Sequence, residues 1–230
     1  MYHLDLFCGT KSFGKVFAKN GYQSYSVDIL AKYNPTYCGD ILYWDYTSLG
    51  FVPDVITASP PCNSWGKYAS NNNKTRDFKT LLALKPVAIL GEILVLRTLQ
   101  IFDYFRQINC NVVFIMENPR WLLRRYPPLL QRVESGELIE HDTLYSLYGF
   151  PTPKPTNFWS NIRLYIRFNG VPDTDEEKMT MSYYYSPKEN RCRFEKLKSH
   201  QKIMIPGDLV VDIYRSVQSH FIEAETDCFL

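Results

Sequence analysis

Six cysteines, Cys8, Cys38, Cys62, Cys110, Cys192 and Cys228, lie along the chain without one CxxC pair or a metal-like spacing, so a reduced intracellular chain with no bound metal is expected. The N-terminus lacks the apolar core of a signal peptide, and no apolar run approaches the ~20 residues that cross a bilayer. A soluble chain without a membrane partner follows. There is no internal repeat. Charge of one sign is also scarce: 26 Lys and Arg stand against 24 Asp and Glu, a net charge of +2, too small to mark a nucleic-acid binder by itself. The cations are nevertheless gathered, in "RWLLRR" (Arg120 to Arg125) and in "KENRCRFEKLKSHQK" (Lys188 to Lys202). Such runs serve equally well as solvated faces.

What is present is alternation. With 230 residues the chain can bury the core of one α/β domain, read here as 1–230. "YHLDLF" (Tyr2 to Phe7) predicts a strand running into Cys8, Gly9 and Thr10, and "SFGKVFAKNGY" (Ser12 to Tyr22) a short helix. "YSVDI" (Tyr25 to Ile29) and Asp54 to Ala58 read as strands, Leu81 to Phe105 as a helix, and "NVVFIMENP" (Asn111 to Pro119) as an apolar strand. The pattern predicts an α/β fold with a mixed, mostly parallel sheet and helices on both faces, binding its ligand at the carboxyl ends of the strands. Asp28, Asp40, Cys62 and Glu117 all fall at or just past such ends. Further on, "DTLYSLYGF" and "RLYIRF" alternate like antiparallel strands around the proline-rich "PTPKPTNFWSN". "IPGDLVVDIYRSVQSHF" (Ile205 to Phe221) reads as a helix burying Leu209, Ile213, Val217 and Phe221.

One junction is unusual. In "DVITASPPCNSW" (Asp54 to Trp65) a β-branched run is stopped by Pro60 and Pro61, which cannot donate to a ladder and which stiffen the backbone carrying Cys62. That stiffness suits a nucleophile, although a free cysteine is also an ordinary small buried group. Glu117 and Asn118, packed against Pro119 at the end of an apolar strand, need partners if buried. An internal hydrogen bond or solvent would supply them as well as a ligand would. The glycine turn at Gly9, with acids following, is one way such sheets hold an adenosyl ligand, but "GTKSFG" is not GxGxxG and a structural turn explains it equally.

Read in order, "DLFCGTKSFGKVFAKNGY", "SVDI", "GDI", "DVITASPPCNSW", "MENP" and "IPGDLVVDI" resemble the ordered motifs of the DNA cytosine-5 methyltransferases. "YGFPTPKPTNFWSN" is similar to a segment of the compact members of phages and large DNA viruses. The resemblance implies a Rossmann-like S-adenosylmethionine-dependent methyltransferase fold, double-stranded DNA as partner, and the nucleus or cytoplasm of a host cell as location. It gives Cys62 the role of nucleophile towards carbon 6 of cytosine and Glu117 that of hydrogen-bonding N3. The cofactor falls to Phe7, Gly9, Asp28, Asp40 and Pro60, and the substrate to Asn118, Pro119, Arg120, Lys154, Thr156 and Arg163, with Arg124 and Arg125 near flanking phosphates. Lys154, Pro155 and Thr156, followed by Arg163, stand where relatives have an arginine-rich motif. Lys11 replaces a common second glycine and is expected to face solvent. Target recognition is left to about 169–202, including the aromatic Tyr183 to Tyr185. Two alternatives stay open: the same chemistry on transfer RNA, and a silent module that binds DNA or cofactor without turnover.

Overall fold

Seven short segments form the strands of one sheet in the computed structural model, which describes residues 1–67, 74–167, 185–186, 191–192 and 204–227. The strands are β1 (Tyr2–Leu6), β2 (Gln23–Asp28), β3 (Tyr37–Cys38), β4 (Val55–Ala58), β5 (Val113–Pro119), β6 (Ile139–Leu144) and β7 (Pro155–Ser160), in the order β3-β2-β1-β4-β5-β7-β6. Only β7 runs against its neighbours. The chain order turns back between β1 and β4, the switch point beyond which doubly wound sheets hold their ligands.

Burial on both faces explains why β4 and most of β5 are continuously apolar. Leu4, Leu6, Ile56, Ala58, Phe114 and Met116 pack with Val95, Leu99, Phe102 and Phe105 of α2 (Pro86–Ile108). The alternate residues Val55, Val113 and Ile115 pack with Phe13 and Phe17 of α1 (Ser12–Lys19) and with Leu209, Ile213 and Val217 of α4 (Gly207–Asp227). Phe221 is half-buried against the same cluster, as its spacing predicted. The Phe102 and Phe114 rings stack with centroids 4.3 Å apart. Each such side chain contributes about 1.5–3 kcal/mol by leaving water. A short α3 (Pro127–Glu134) follows β5.

Three expectations change. The long helix starts at Pro86 rather than Leu81, because proline is tolerated in a first turn and bars the helical conformation in the residue before it. In the third segment Arg163 to Arg167, the described part of "RLYIRF", form no strand. The partner of β6 is the proline-rich spacer itself, in which Pro155 opens β7 at a position that pairs with Leu144. Proline at a strand's first residue loses no ladder bond that the strand needs. The expected recognition segment 169–202, with Tyr183 and Tyr184, lies outside the described residues except for one two-rung antiparallel ladder of β8 (Tyr185–Ser186) and β9 (Arg191–Cys192). Among the described residues no helix is long and apolar enough to cross a membrane.

Candidate active site

The carboxyl ends of β1, β2, β4 and β5 converge on one edge. After β1 the chain turns through three left-handed residues, Phe7, Gly9 and Lys11, with φ of 54°, 47° and 56°. Such a turn lets backbone approach a ligand closely. Asp28, at the end of β2, holds it: Gly9 N donates to Oδ2 at 2.9 Å and Leu30 N to Oδ1 at 2.8 Å. Asp40, half-buried, accepts from Leu42 N at 2.9 Å. Lys11 does not simply face solvent. Its ammonium donates to the Asn34 carbonyl, tying this turn to the loop after β2. Cys8, beneath the turn, is buried, and burial with the charges of Asp5 and Asp28 pushes its thiol up to about 12. It is therefore poorly suited to compete as a nucleophile.

Cys62 sits half-buried four residues past β4. Trp65 N and Gly66 N both donate to its carbonyl at 3.0 Å. Its loop is fastened from three directions. Asn118 Nδ2 donates to the Pro60 carbonyl at 2.8 Å, Leu122 N donates to the Trp65 carbonyl at 3.1 Å, and the Arg76 guanidinium lies 3.8 Å above the Trp65 ring. Arg76 is itself buried, donating to the carbonyls of Leu81 and Ala88 and paired with Glu92. Burial, and then the negative charge of Glu117, push the Cys62 thiol up, while Lys154 opposes them. The resting thiol thus keeps its proton.

Glu117 is 7% exposed and receives a 3.0 Å hydrogen bond from the Tyr145 hydroxyl. The partner demanded by its burial comes from within the fold. Because β7 is antiparallel, its beginning, and not its end, reaches this edge: Thr156 is opposite Pro119. Lys154 has φ of 37°, and its Nζ lies 4.4 Å from the centre of the Tyr145 ring. Thr156, fully buried, donates to the Lys154 carbonyl at 3.1 Å.

Other expected residues are placed differently. Arg163 is exposed and follows Ser160, which pairs with Ile115, so it lies past the end of β7 that is opposite to Thr156. The Arg120 side chain is 6% exposed and lies 3.9 Å from Asp142, and Arg124 meets Glu140 at 3.0 Å. Arg125 donates to the Phe78 and Lys79 carbonyls. These arginines brace the fold, and two of them do so beside carboxylates. Asn118 is wholly buried and Pro119 half-buried. Tyr145 was missed by sequence reasoning, since nothing local distinguishes it from the chain's other tyrosines. Among the described residues no group of three or more His, Cys, Asp or Glu side chains could hold a metal ion.

No protein-family profile matches the chain. It is 32% identical over 177 residues to a "Probable DNA (cytosine-5)-methyltransferase" of Frog virus 3 (isolate Goorha), covering 71% of this chain and 72% of that protein. Among solved structures it is similar to the Dnmt2 methyltransferase of S. pombe, at 14% identity over 78% of this chain with a TM-score of 0.46. It is also similar to a candidate DNA modification methyltransferase encoded within an E. coli prophage, at 16% identity over 70% of this chain with a TM-score of 0.43. The chain spans 53% and 46% of the length of these two structures.

Proposed function

The chain belongs to the DNA (cytosine-5)-methyltransferase family, and we propose that it methylates carbon 5 of cytosine in duplex DNA through a covalent adduct on Cys62. The observation that carries this reading is the convergence of Cys62 and Glu117 at the ends of adjacent strands, which Asn118 ties together through Pro60.

The donor set fits S-adenosylmethionine. A left-handed turn at Phe7 and Gly9 brings backbone to the edge where the cofactor would lie, Asp28 and Asp40 offer acceptors to ribose hydroxyls and an adenine amino group, and Pro60 borders the same edge. Bound there, the cofactor supplies an electrophilic methyl group. The chain's own residues supply the rest. Carbon 5 of cytosine is a weak nucleophile until a thiolate adds to carbon 6, which is the work of Cys62. Charge developing on the ring is offset at N3 by a proton-bearing Glu117 carboxyl. This also explains a thiol that rests protonated. A proton passing by way of solvent from the Cys62 thiol to Glu117 leaves a neutral carboxyl against the base and a thiolate favoured by Lys154, and removes one cause that raises the thiol. Loss of the carbon 5 proton then releases the enzyme. The target base must leave the stack first, at a cost of a few kcal/mol.

The test offers purified protein a methyl-labelled cofactor with duplex DNA and, separately, with transfer RNA. Label is expected on DNA cytosines with wild type and none with Cys62→Ser, which keeps near-normal cofactor affinity because the hydroxyl is almost isosteric but far less nucleophilic. Label on transfer RNA alone, or turnover by Cys62→Ser, would sink the proposal.

A further inference from the structure

The Tyr145 phenol is fully buried, and a buried phenol needs a partner for its proton. It has one: Oη donates to Oε1 of Glu117 at 3.0 Å across a sequence separation of 28. Burial and the adjacent carboxylate push this phenol well above its ordinary range, so it stays a donor wherever the protein is folded. The ring is fixed too. The Lys154 ammonium lies 4.4 Å from its centre, Phe150 packs edge-on at 5.6 Å, and the 3-10 turn Tyr145–Tyr148 directly follows β6.

A carboxyl group has two oxygens and, when neutral, one proton. With Tyr145 donating to Oε1, that oxygen is an acceptor and the proton belongs on Oε2. We propose that Tyr145 is a positioning residue for the reaction: by holding Oε1 it orients the Glu117 carboxyl and leaves Oε2–H as the group presented to N3 of the target cytosine. This inference rests on the role given to Glu117 above. It assigns Tyr145 no contact with the base, and it explains why a tyrosine stands beside the carboxylate.

The experiment measures the rate at which duplex DNA carrying 5-fluorocytosine, with S-adenosylmethionine, forms an adduct that survives denaturation. Tyr145→Phe keeps the ring and its Lys154 contact while removing the hydroxyl. Its maximal adduct rate is expected to fall by about 10- to 100-fold, with the DNA concentration for half-maximal rate and cofactor affinity little changed and the thermal midpoint lowered, because buried Glu117 loses its donor. Glu117→Gln should also be slow. Tyr145→Phe combined with Glu117→Ala should be no slower than Glu117→Ala alone, because a residue that acts only through the Glu117 side chain has nothing left to act through. A wild-type rate for Tyr145→Phe, or a double variant that loses the product of both factors, would overturn the assignment. Wild-type trapping by Glu117→Gln would instead overturn the role of Glu117 at a separate step, and this inference with it.

Discussion

Asn118 shows how one side chain joins the two strand ends that carry Cys62 and Glu117. Successive residues of a strand point to opposite faces, so if Glu117 meets Tyr145 on one side, Asn118 faces the other, where its amide reaches the Pro60 carbonyl at 2.8 Å. Sequence reading assigned Asn118 to the substrate; in the fold its Nδ2 holds the loop that leads to Cys62, and its Oδ1 has no hydrogen-bond partner among the described residues. Asn118→Ala should therefore cost about 1–3 kcal/mol, the usual consequence of leaving a buried carbonyl unpaired, and should slow adduct formation without weakening cofactor binding. Urea unfolding, adduct kinetics and calorimetric titration of the cofactor measure the three quantities. Unchanged stability together with an unchanged adduct rate would remove the strut.

Between α2 and the loop that carries Cys62 the contact is closer than any side chain allows. A Cβ added at Gly91 would lie 2.4 Å from Ser64 Oγ and 3.2 Å from Trp65 Nε1. Ser64 and Trp65 are almost completely buried, so the loop has little space to retreat. Gly91→Ala, although it favours helix, should lower stability by about 1–3 kcal/mol through overpacking and should displace the backbone that carries Cys62. Ser64 Oγ has no hydrogen-bond partner among the described residues, so adding Ser64→Ala removes the closest clash at little cost. A thermal midpoint and methyl-transfer rate that fall in the single variant and recover in the double would establish the contact. A single variant as stable and active as wild type would refute it.

Across the whole molecule, the stability profile against pH is shaped by a buried pair under the first strand. Thr57 Oγ1 donates to Asp5 at 2.9 Å and lies 2.8 Å from His3 Nε2, while Ser24 Oγ lies 2.9 Å from Nδ1. Burial pushes the Asp5 carboxyl up to about 7 and the His3 imidazole down to about 3. The two act oppositely. From about pH 4 to 7 native Asp5 keeps a proton that the unfolded chain releases, so its contribution to stability declines as pH rises. From about pH 3 to 6.5 native His3 refuses a proton that the unfolded chain binds, so its contribution grows. Over the shared window they offset. His3→Gln leaves only the Asp5 trend, and the stability difference between wild type and variant should widen in favour of wild type by up to about 1.4 kcal/mol per pH unit between pH 4.5 and 6. Urea unfolding at the two pH values checks it, and a constant difference would show that His3 is not held neutral.

The features that the sequence determined by itself are those with a short physical range. Runs such as Val55 to Ala58 and Val113 to Met116 make buried strands wherever they occur, prolines 60 and 61 end one of them, and the residues left at the strand ends, Asp28, Cys62 and Glu117, follow directly. Alternation of strand and helix then selects a doubly wound sheet. The direction of β7 was beyond local reading, because Pro155 to Ser160 has a turn-like composition and becomes a strand only when β5 and β6 flank it. That direction decided the rest: it set Lys154 and Thr156 at the edge that carries Cys62 and Glu117, and Arg163 past the other end of the strand. Tyr145 and Glu117 are likewise distant in sequence, and their hydrogen bond exists because two strand ends share one buried edge, a relation that spacing along the chain does not encode.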